Sequence, residues 1–253
     1  MRLCVPIPCF FPKMDFADAL RRVKALGFDA AEGYDWRGFD FAAVRRALDE
    51  TGVELLSLCT TEFRMTDPSF RGAWLNGLRE SCAAARTLGV RRLITQVGPD
   101  TGAPRAGQHE SIVQALKAAR PILEDSGVTL MIEPLNTLVN HPGYYLWSSV
   151  EGFDILLEVG HPLVKMVYDI YHQQVMEGNI IPNITNNLDC IAHLHSAGHP
   201  GRIDLQFGEN DYKVIFKRVD EAGYKGACGL EFRPTLGGVE SLKEFRRIYL
   251  DEK

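Results

Sequence analysis

The chain has 253 residues, with hydrophobic residues at 45%, charged residues at 24% and a formal net charge of −5. It is long enough to bury most of its apolar surface, and its composition excludes a disordered chain. The acidic balance, with no block of like charges, leaves no footprint for a polyanion, so no nucleic-acid partner is expected. The N-terminus Met1-Arg-Leu-Cys-Val-Pro6 lacks a hydrophobic signal core, and no apolar run reaches the roughly 18 residues that cross a bilayer. The chain therefore reads as cytoplasmic, with no membrane partner.

Short apolar runs alternate with amphipathic stretches along the whole sequence. A strand at Leu3 to Pro8 precedes a helix over Asp15 to Leu26, apolar at Phe16, Ala19, Leu20 and Val23 and ended by Gly27. A strand at Phe28 to Glu32, a helix at Phe41 to Glu50 closed by Gly52, and a strand at Val53 to Cys59 follow. Next come a helix from Ser69 to Leu88, a strand from Arg91 to Val97, a helix from Gln108 to Asp125, and a strand ending at Glu133. Ser148 or Ser149 caps a helix running to Val159, which leads to a strand ending at Asp169. The polar stretch Gly178 to Asp189 interrupts the pattern, with a weak helix near Ile184 before the strand ending at His195. The last units are a helix over Tyr212 to Ala222, a strand from Ala227 to Glu231 and a helix from Gly238 to Tyr249. Eight strands alternating with eight helices, and no linker rich in Pro, Gly or Ser, predict one α/β domain over residues 1–253, a closed (β/α)8 TIM barrel. The long connections Cys9 to Met14, Thr60 to Pro68, Pro134 to Trp147 and Ser196 to Asn210 all follow strands, on the face where barrel active sites lie. The six cysteines show no paired spacing and read as reduced, small hydrophobes.

Four residues able to bind a metal, Glu133, Asp169, His195 and Glu231, close the runs Val128–Glu133, Val164–Asp169, Cys190–His195 and Ala227–Glu231. In a parallel barrel these termini would meet at one mouth. A single such acid is as well explained by a helix cap or an ion pair at the rim, but four in register are not, because buried unpaired acids are costly. Three carboxylates and one imidazole suit a divalent ion such as Mn²⁺ or Mg²⁺, with Co²⁺ also compatible, better than a structural zinc. Two glutamates flanking that ion could move a proton between adjacent carbons of a hydroxy-carbonyl compound. His172, three residues after Asp169, would reach the same mouth, against the alternative of packing within the loop. Arg202 could hold a substrate oxygen or carboxylate, although loop arginines are more often solvated. Glu209 and Asn210 are expected to cap the helix near Asp211, and Tyr144, Tyr145, Trp147 and Phe207 to pack under long loops.

At these residues the chain resembles the hydroxypyruvate isomerase family, within the xylose isomerase-like TIM barrels that include the ketose 3-epimerases. The matching stretches are Ile132-Glu-Pro-Leu-Asn136, Pro142-Gly-Tyr-Tyr-Leu146, Tyr168-Asp-Ile-Tyr-His-Gln-Gln174 with Glu177-Gly-Asn179, His193-Leu-His-Ser-Ala-Gly-His-Pro-Gly-Arg202, Gly208-Glu-Asn-Asp-Tyr212, and Gly223-Tyr-Lys-Gly226 with Gly229-Leu-Glu231. They cover most of the C-terminal half, while the N-terminal half agrees mainly in its alternation of elements. The resemblance implies a metal held by Glu133, Asp169, His195 and Glu231, proton transfer by Glu133 and Glu231, and substrate contacts from His172 and Arg202. The chain departs from the isomerases at His195, where they usually carry Gln and the ketose 3-epimerases carry His, and in the loop Ile203-Asp-Leu-Gln-Phe207.

The leading expectation is an isomerase of a small hydroxy-carbonyl compound, with hydroxypyruvate and tartronate semialdehyde as the first pair. The second is a ketose 3-epimerase acting on free sugars, and the third a non-catalytic barrel that binds sugar or metal. A phosphodiester endonuclease on the same barrel would need further histidines at strand ends, and His109, His141 and His161 are placed away from them. A homo-oligomer is compatible with the sequence, since barrels associate through helices and loops.

Overall fold

In the computed structural model, which describes residues 1–251, eight parallel strands close in chain order into one barrel. The strands are β1 (Arg2–Pro6), β2 (Ala30–Glu32), β3 (Glu54–Cys59), β4 (Arg92–Thr95), β5 (Thr129–Ile132), β6 (Val164–Asp169), β7 (Ile191–His195) and β8 (Ala227–Gly229). The helices are α1 (Ile7–Phe10), α2 (Phe16–Ala25), α3 (Phe41–Thr51), α4 (Arg71–Leu88), α5 (Arg105–Ser126), α6 (Ser149–Val159), α7 (Ile170–Met176), α8 (Ile180–Thr185), α9 (Tyr212–Glu221) and α10 (Gly238–Arg246). Among the described residues no helix is long and apolar enough to cross a membrane.

Local chemistry sets most boundaries. Asp15, Asp40, Ser148 and Asp211 accept backbone N–H bonds at the starts of α2, α3, α6 and α9, and α3 to α6 end on glycines in the left-handed conformation. The apolar stripe of α2, Ala19, Leu20 and Val23, is wholly buried in the layer between strands and helices, as are Leu78 of α4 and Leu116 of α5. Burying such stripes is the main stabilising term, at about 1.5–3 kcal/mol for each Leu or Val side chain.

Four expectations are corrected. The first strand stops at Pro6, because Pro8 sits in the first turn of the short helix α1. The last strand stops at Gly229, so Glu231 lies two residues beyond it. Asp169 is at once the end of β6 and the N-cap of α7, so the expected loop after it is helical and the weak helix near Ile184 is the second of two short ones. Glu209 and Asn210 do not cap the helix α9, since the Asp211 carboxylate accepts from Val214 N–H at 3.1 Å. The six cysteines are free.

Candidate metal and active site

The register of the barrel brings the predicted residues together. Asp169 and His195 are paired across β6 and β7, and His195 is paired with Gly229 across β7 and β8, so Glu231 follows just above them. Glu133 stands one residue past β5, where the Tyr144 hydroxyl donates to its carbonyl at 3.0 Å and accepts Val97 N–H at 2.9 Å. One ligand atom from each of Glu133, Asp169, His195 and Glu231 lies within 4.8 Å of the others. His195 Nδ1 is 3.2 Å from Glu133 Oε1 and 3.1 Å from Glu231 Oε2, so the two glutamates face each other across one imidazole nitrogen.

Asp169 divides its labour between its oxygens. Oδ1 accepts from Tyr171 N–H at 2.7 Å and His172 N–H at 3.2 Å, while the buried Oδ2 has no hydrogen-bond partner among the described residues. A buried carboxylate oxygen that makes no hydrogen bond, with His172 Nε2 at 3.4 Å and Arg202 Nη2 at 3.7 Å, beside two glutamates and an imidazole, suits a cation site. The donor set therefore fits a divalent ion.

The remaining groups balance charge. Arg202 Nη2 lies 2.5 Å from Glu231 Oε2 and 3.7 Å from Asp169 Oδ2, and the Tyr34 hydroxyl donates to Glu231 Oε1 at 2.6 Å. Burial raises the proton affinity of Glu231, but Arg202 and His195 outweigh it and hold the carboxyl well below its usual range. Burial pushes Asp169 up to about 7 and also raises Glu133, whose contact with His195 only partly offsets it. His195, despite its burial, is held well above its usual value by Glu231 and Glu32. His172 goes the other way, driven well down by burial and then by Arg202. Its Nδ1 accepts Asn136 N–H at 3.1 Å, so the neutral ring carries its proton on Nε2, which makes no geometrically sound hydrogen bond but lies 3.4 Å from Asp169 Oδ2. A cavity of about 350 Å³ opens onto this constellation, lined among others by Tyr34, Thr60, Phe63, Gln96, Glu133 and Glu231.

All six predicted residues are thus brought to one place. The sequence reading misses Glu32, Tyr34 and His141. Glu32 ends β2 as the other acids end their strands, so the same signal was available for it. Tyr34 follows two residues later with no distinguishing pattern. His141, expected away from the mouth, has its ring 5.2 Å from that of His172. Tyr145 is buried as expected, but Trp147 and Phe207 are exposed, at 37% and 54%, so those two are not packed under the loops.

Residues 20–248 match the model of the xylose isomerase-like TIM barrel family. The hydroxypyruvate isomerase of Escherichia coli is 26% identical over 258 residues, covering 97% of this chain and 100% of that protein. A 2-oxo-tetronate isomerase of Cupriavidus necator is 36% identical over 221 residues, covering 87% of this chain and 76% of that one. Among solved structures, one described as an AP endonuclease, family 2, from Brucella melitensis superposes with a TM-score of 0.92 at 23% identity, covering 98% and 99% of the two chains. That likeness is one of fold. The relatives' names speak against a barrel that only binds, and the chain is an isomerase of the hydroxypyruvate isomerase family, within the xylose isomerase-like TIM barrels.

Proposed function

We propose that the protein is a divalent-metal-dependent isomerase that moves a proton between adjacent carbons of a small hydroxy-carbonyl acid, with hydroxypyruvate and tartronate semialdehyde as the first pair to test. The observation that carries this reading is the placement of Glu133 and Glu231 on either side of His195 Nδ1, at 3.2 and 3.1 Å. Glu133, Asp169, His195 and Glu231 would hold Mn²⁺ or Mg²⁺, with Co²⁺ also suited to the set. When bound, the ion would polarise the substrate carbonyl and stabilise negative charge on its oxygen. One glutamate takes the proton from the carbon bearing the hydroxyl and a glutamate returns a proton to the neighbouring carbon, while the hydroxyl proton passes to the former carbonyl oxygen, so that carbonyl and hydroxyl exchange places. Tyr34 and Arg202 hold Glu231 in its ionised form, and the Nε2–H of His172, 3.4 Å from Asp169 Oδ2, would be shared between that carboxylate and a substrate oxygen. The names of the relatives from Escherichia coli and Cupriavidus necator support a 2-oxo acid rather than a free sugar.

The test is proton NMR in deuterated water with the Mg²⁺-loaded protein. Deuterium should enter the carbon that bears the migrating proton as tartronate semialdehyde forms. No exchange and no turnover with either Mg²⁺ or Mn²⁺ would sink the proposal. His195 favours a second reading, epimerisation at C3 of a ketose, in which one glutamate removes the proton and the other returns it on the opposite face. A panel of ketoses and keto acids separates the two, because epimerisation leaves the carbonyl at C2 and isomerisation moves it.

A further inference from the structure

The interior of an α/β barrel is normally filled by branched apolar side chains. Below the mouth of this one, Glu32 is wholly buried among polar groups. Its Oε1 accepts the Cys4 thiol at 2.8 Å and faces His193 Nε2 at 3.0 Å, and its Oε2 accepts the Ser57 hydroxyl at 2.8 Å and faces His195 Nε2 at 3.1 Å. Cys4, Glu32 and His193 have the spacing of a metal triad. Their contacts are nonetheless complete as hydrogen bonds from thiol and imidazole to a carboxylate, and Ser57 and His195 occupy the other oxygen. The group is a cradle of four donors around one acceptor, which is the condition for keeping a carboxylate ionised away from water.

The neighbouring strand is cut to fit this cradle. Gly229, the register partner of His195, has no side chain where a Cβ would stand 2.3 Å from Glu32 Oε1 and 2.8 Å from His195 Cδ2. Any larger residue at 229 would push the carboxylate and the imidazole apart.

We propose that Glu32 is a positioning residue that acts through His195, locking the imidazole in the tautomer that turns its Nδ1 lone pair to the metal. An ionised carboxylate can only accept, so His195 Nε2 must carry its proton towards Glu32. The other nitrogen, Nδ1, is the one that lies between Glu133 and Glu231. Metal-bound histidines depend on such an acceptor for ring orientation and basicity. Where a Gln stands in place of this His, no tautomer needs fixing, so Glu32 belongs with His195 as a unit. The inference rests on the reading of His195 as a metal ligand.

The experiment is calorimetric titration of the metal-stripped protein with Mn²⁺ in four forms: wild type, E32Q, H195Q and E32Q/H195Q. E32Q should weaken binding by about 10- to 100-fold when His195 is present. In the H195Q background the same change should cost less than about threefold, because the residue through which it acts is gone. A carboxylate that merely stabilises the barrel would cost the same in both backgrounds. A long-range ¹H–¹⁵N NMR spectrum of the Mg²⁺-loaded wild-type protein needs no variant and should show His195 protonated at Nε2 alone. A proton on Nδ1, an unchanged affinity in E32Q, or an equal loss in both backgrounds overturns the proposal. Absence of Mn²⁺ binding to the wild type overturns the metal reading itself, and this inference with it.

Discussion

Arg202 is where the electrostatics of the site can be tested most directly, through the R202A variant. Its guanidinium meets Glu231 Oε2 at 2.5 Å, the Glu231 carbonyl through Nε at 3.3 Å and Asp169 Oδ2 at 3.7 Å. Breaking one side of a buried ion pair costs about 3–5 kcal/mol. The lower figure applies here, because Glu231 keeps His195 at 3.1 Å and Tyr34 at 2.6 Å, and the Arg202 side chain is 17% exposed. A loss of about 3 kcal/mol lowers the melting temperature of a chain of this size by roughly 6–12 °C. That loss belongs to the metal-free protein. A bound dication supplies the missing positive charge between the carboxylates, so Mn²⁺ should at least halve the gap between variant and wild type. Thermal unfolding followed by circular dichroism, with excess chelator and then with Mn²⁺, reads both quantities. The reasoning is refuted if R202A melts with the wild type in chelator, or if the gap is the same with and without Mn²⁺. The second result would make Arg202 a plain structural residue, indifferent to the ion.

Two further outcomes follow from the same contacts. E133Q and E231Q should each lower kcat by about 10²- to 10⁴-fold, the usual weight of a positioned proton-transfer group, while retaining the wild-type circular dichroism spectrum; a variant within tenfold of wild type removes that glutamate from the proton path. Away from the site, burial depresses His109, but its bonds to Glu158 at 2.9 Å and Glu151 at 3.2 Å outweigh this and leave its proton affinity raised. A raised folded value stabilises fully below the ordinary value near 6.5 and is lost as pH rises through the folded one, so H109Q should destabilise the protein more at pH 6 than at pH 8.5. Equal losses by chemical denaturation at the two pH values would show that His109 contributes by packing alone.

The barrel is legible because the alternation is regular and its punctuation is local: a glycine closes each of α3 to α6, and Asp15, Asp40 and Ser148 open their helices. The site is legible for the same reason, since strand ends converge in any closed parallel barrel. What escaped was set by contacts remote in sequence. Glu231 reads as a strand terminus because the run Ala227 to Glu231 is apolar, yet the pairing that defines β8 ends at Gly229. Helix α7 was hidden because Asp169 serves both strand and cap, leaving no loop between them. Glu32 showed the right signal, a terminal acid, but its meaning depends on His195, 163 residues away. Its partners Cys4, Ser57 and His193 read singly as ordinary occupants of a strand.

Charge at the mouth also dictates an order of binding. Glu133, Asp169 and Glu231 converge there, and the Arg202 guanidinium among them is committed to Glu231. Arg37 also lines the cavity but holds Asp35 through two bonds of 2.9 and 2.8 Å. If Arg202 holds a substrate oxygen or carboxylate, as the sequence suggests, that contact must be shared with Glu231. A carboxylate entering a pocket whose cations are already paired meets net repulsion, and two like charges about 4 Å apart at an effective dielectric constant near 20 repel by about 4 kcal/mol. A dication held by the four ligands reverses that sign. Hydroxypyruvate should therefore bind the metal-loaded protein at least about tenfold more tightly than the chelator-treated one, a modest share of that Coulomb term. A neutral ketose lacks the carboxylate, so its dependence on the ion should be weaker. Stopped-flow titration of the wild-type protein with each ligand, read before turnover, measures both affinities with Mg²⁺ and with chelator. If hydroxypyruvate binds equally well in both conditions, its carboxylate is held away from the acidic cluster, and the preference for an acid over a sugar has to come from another wall of the cavity.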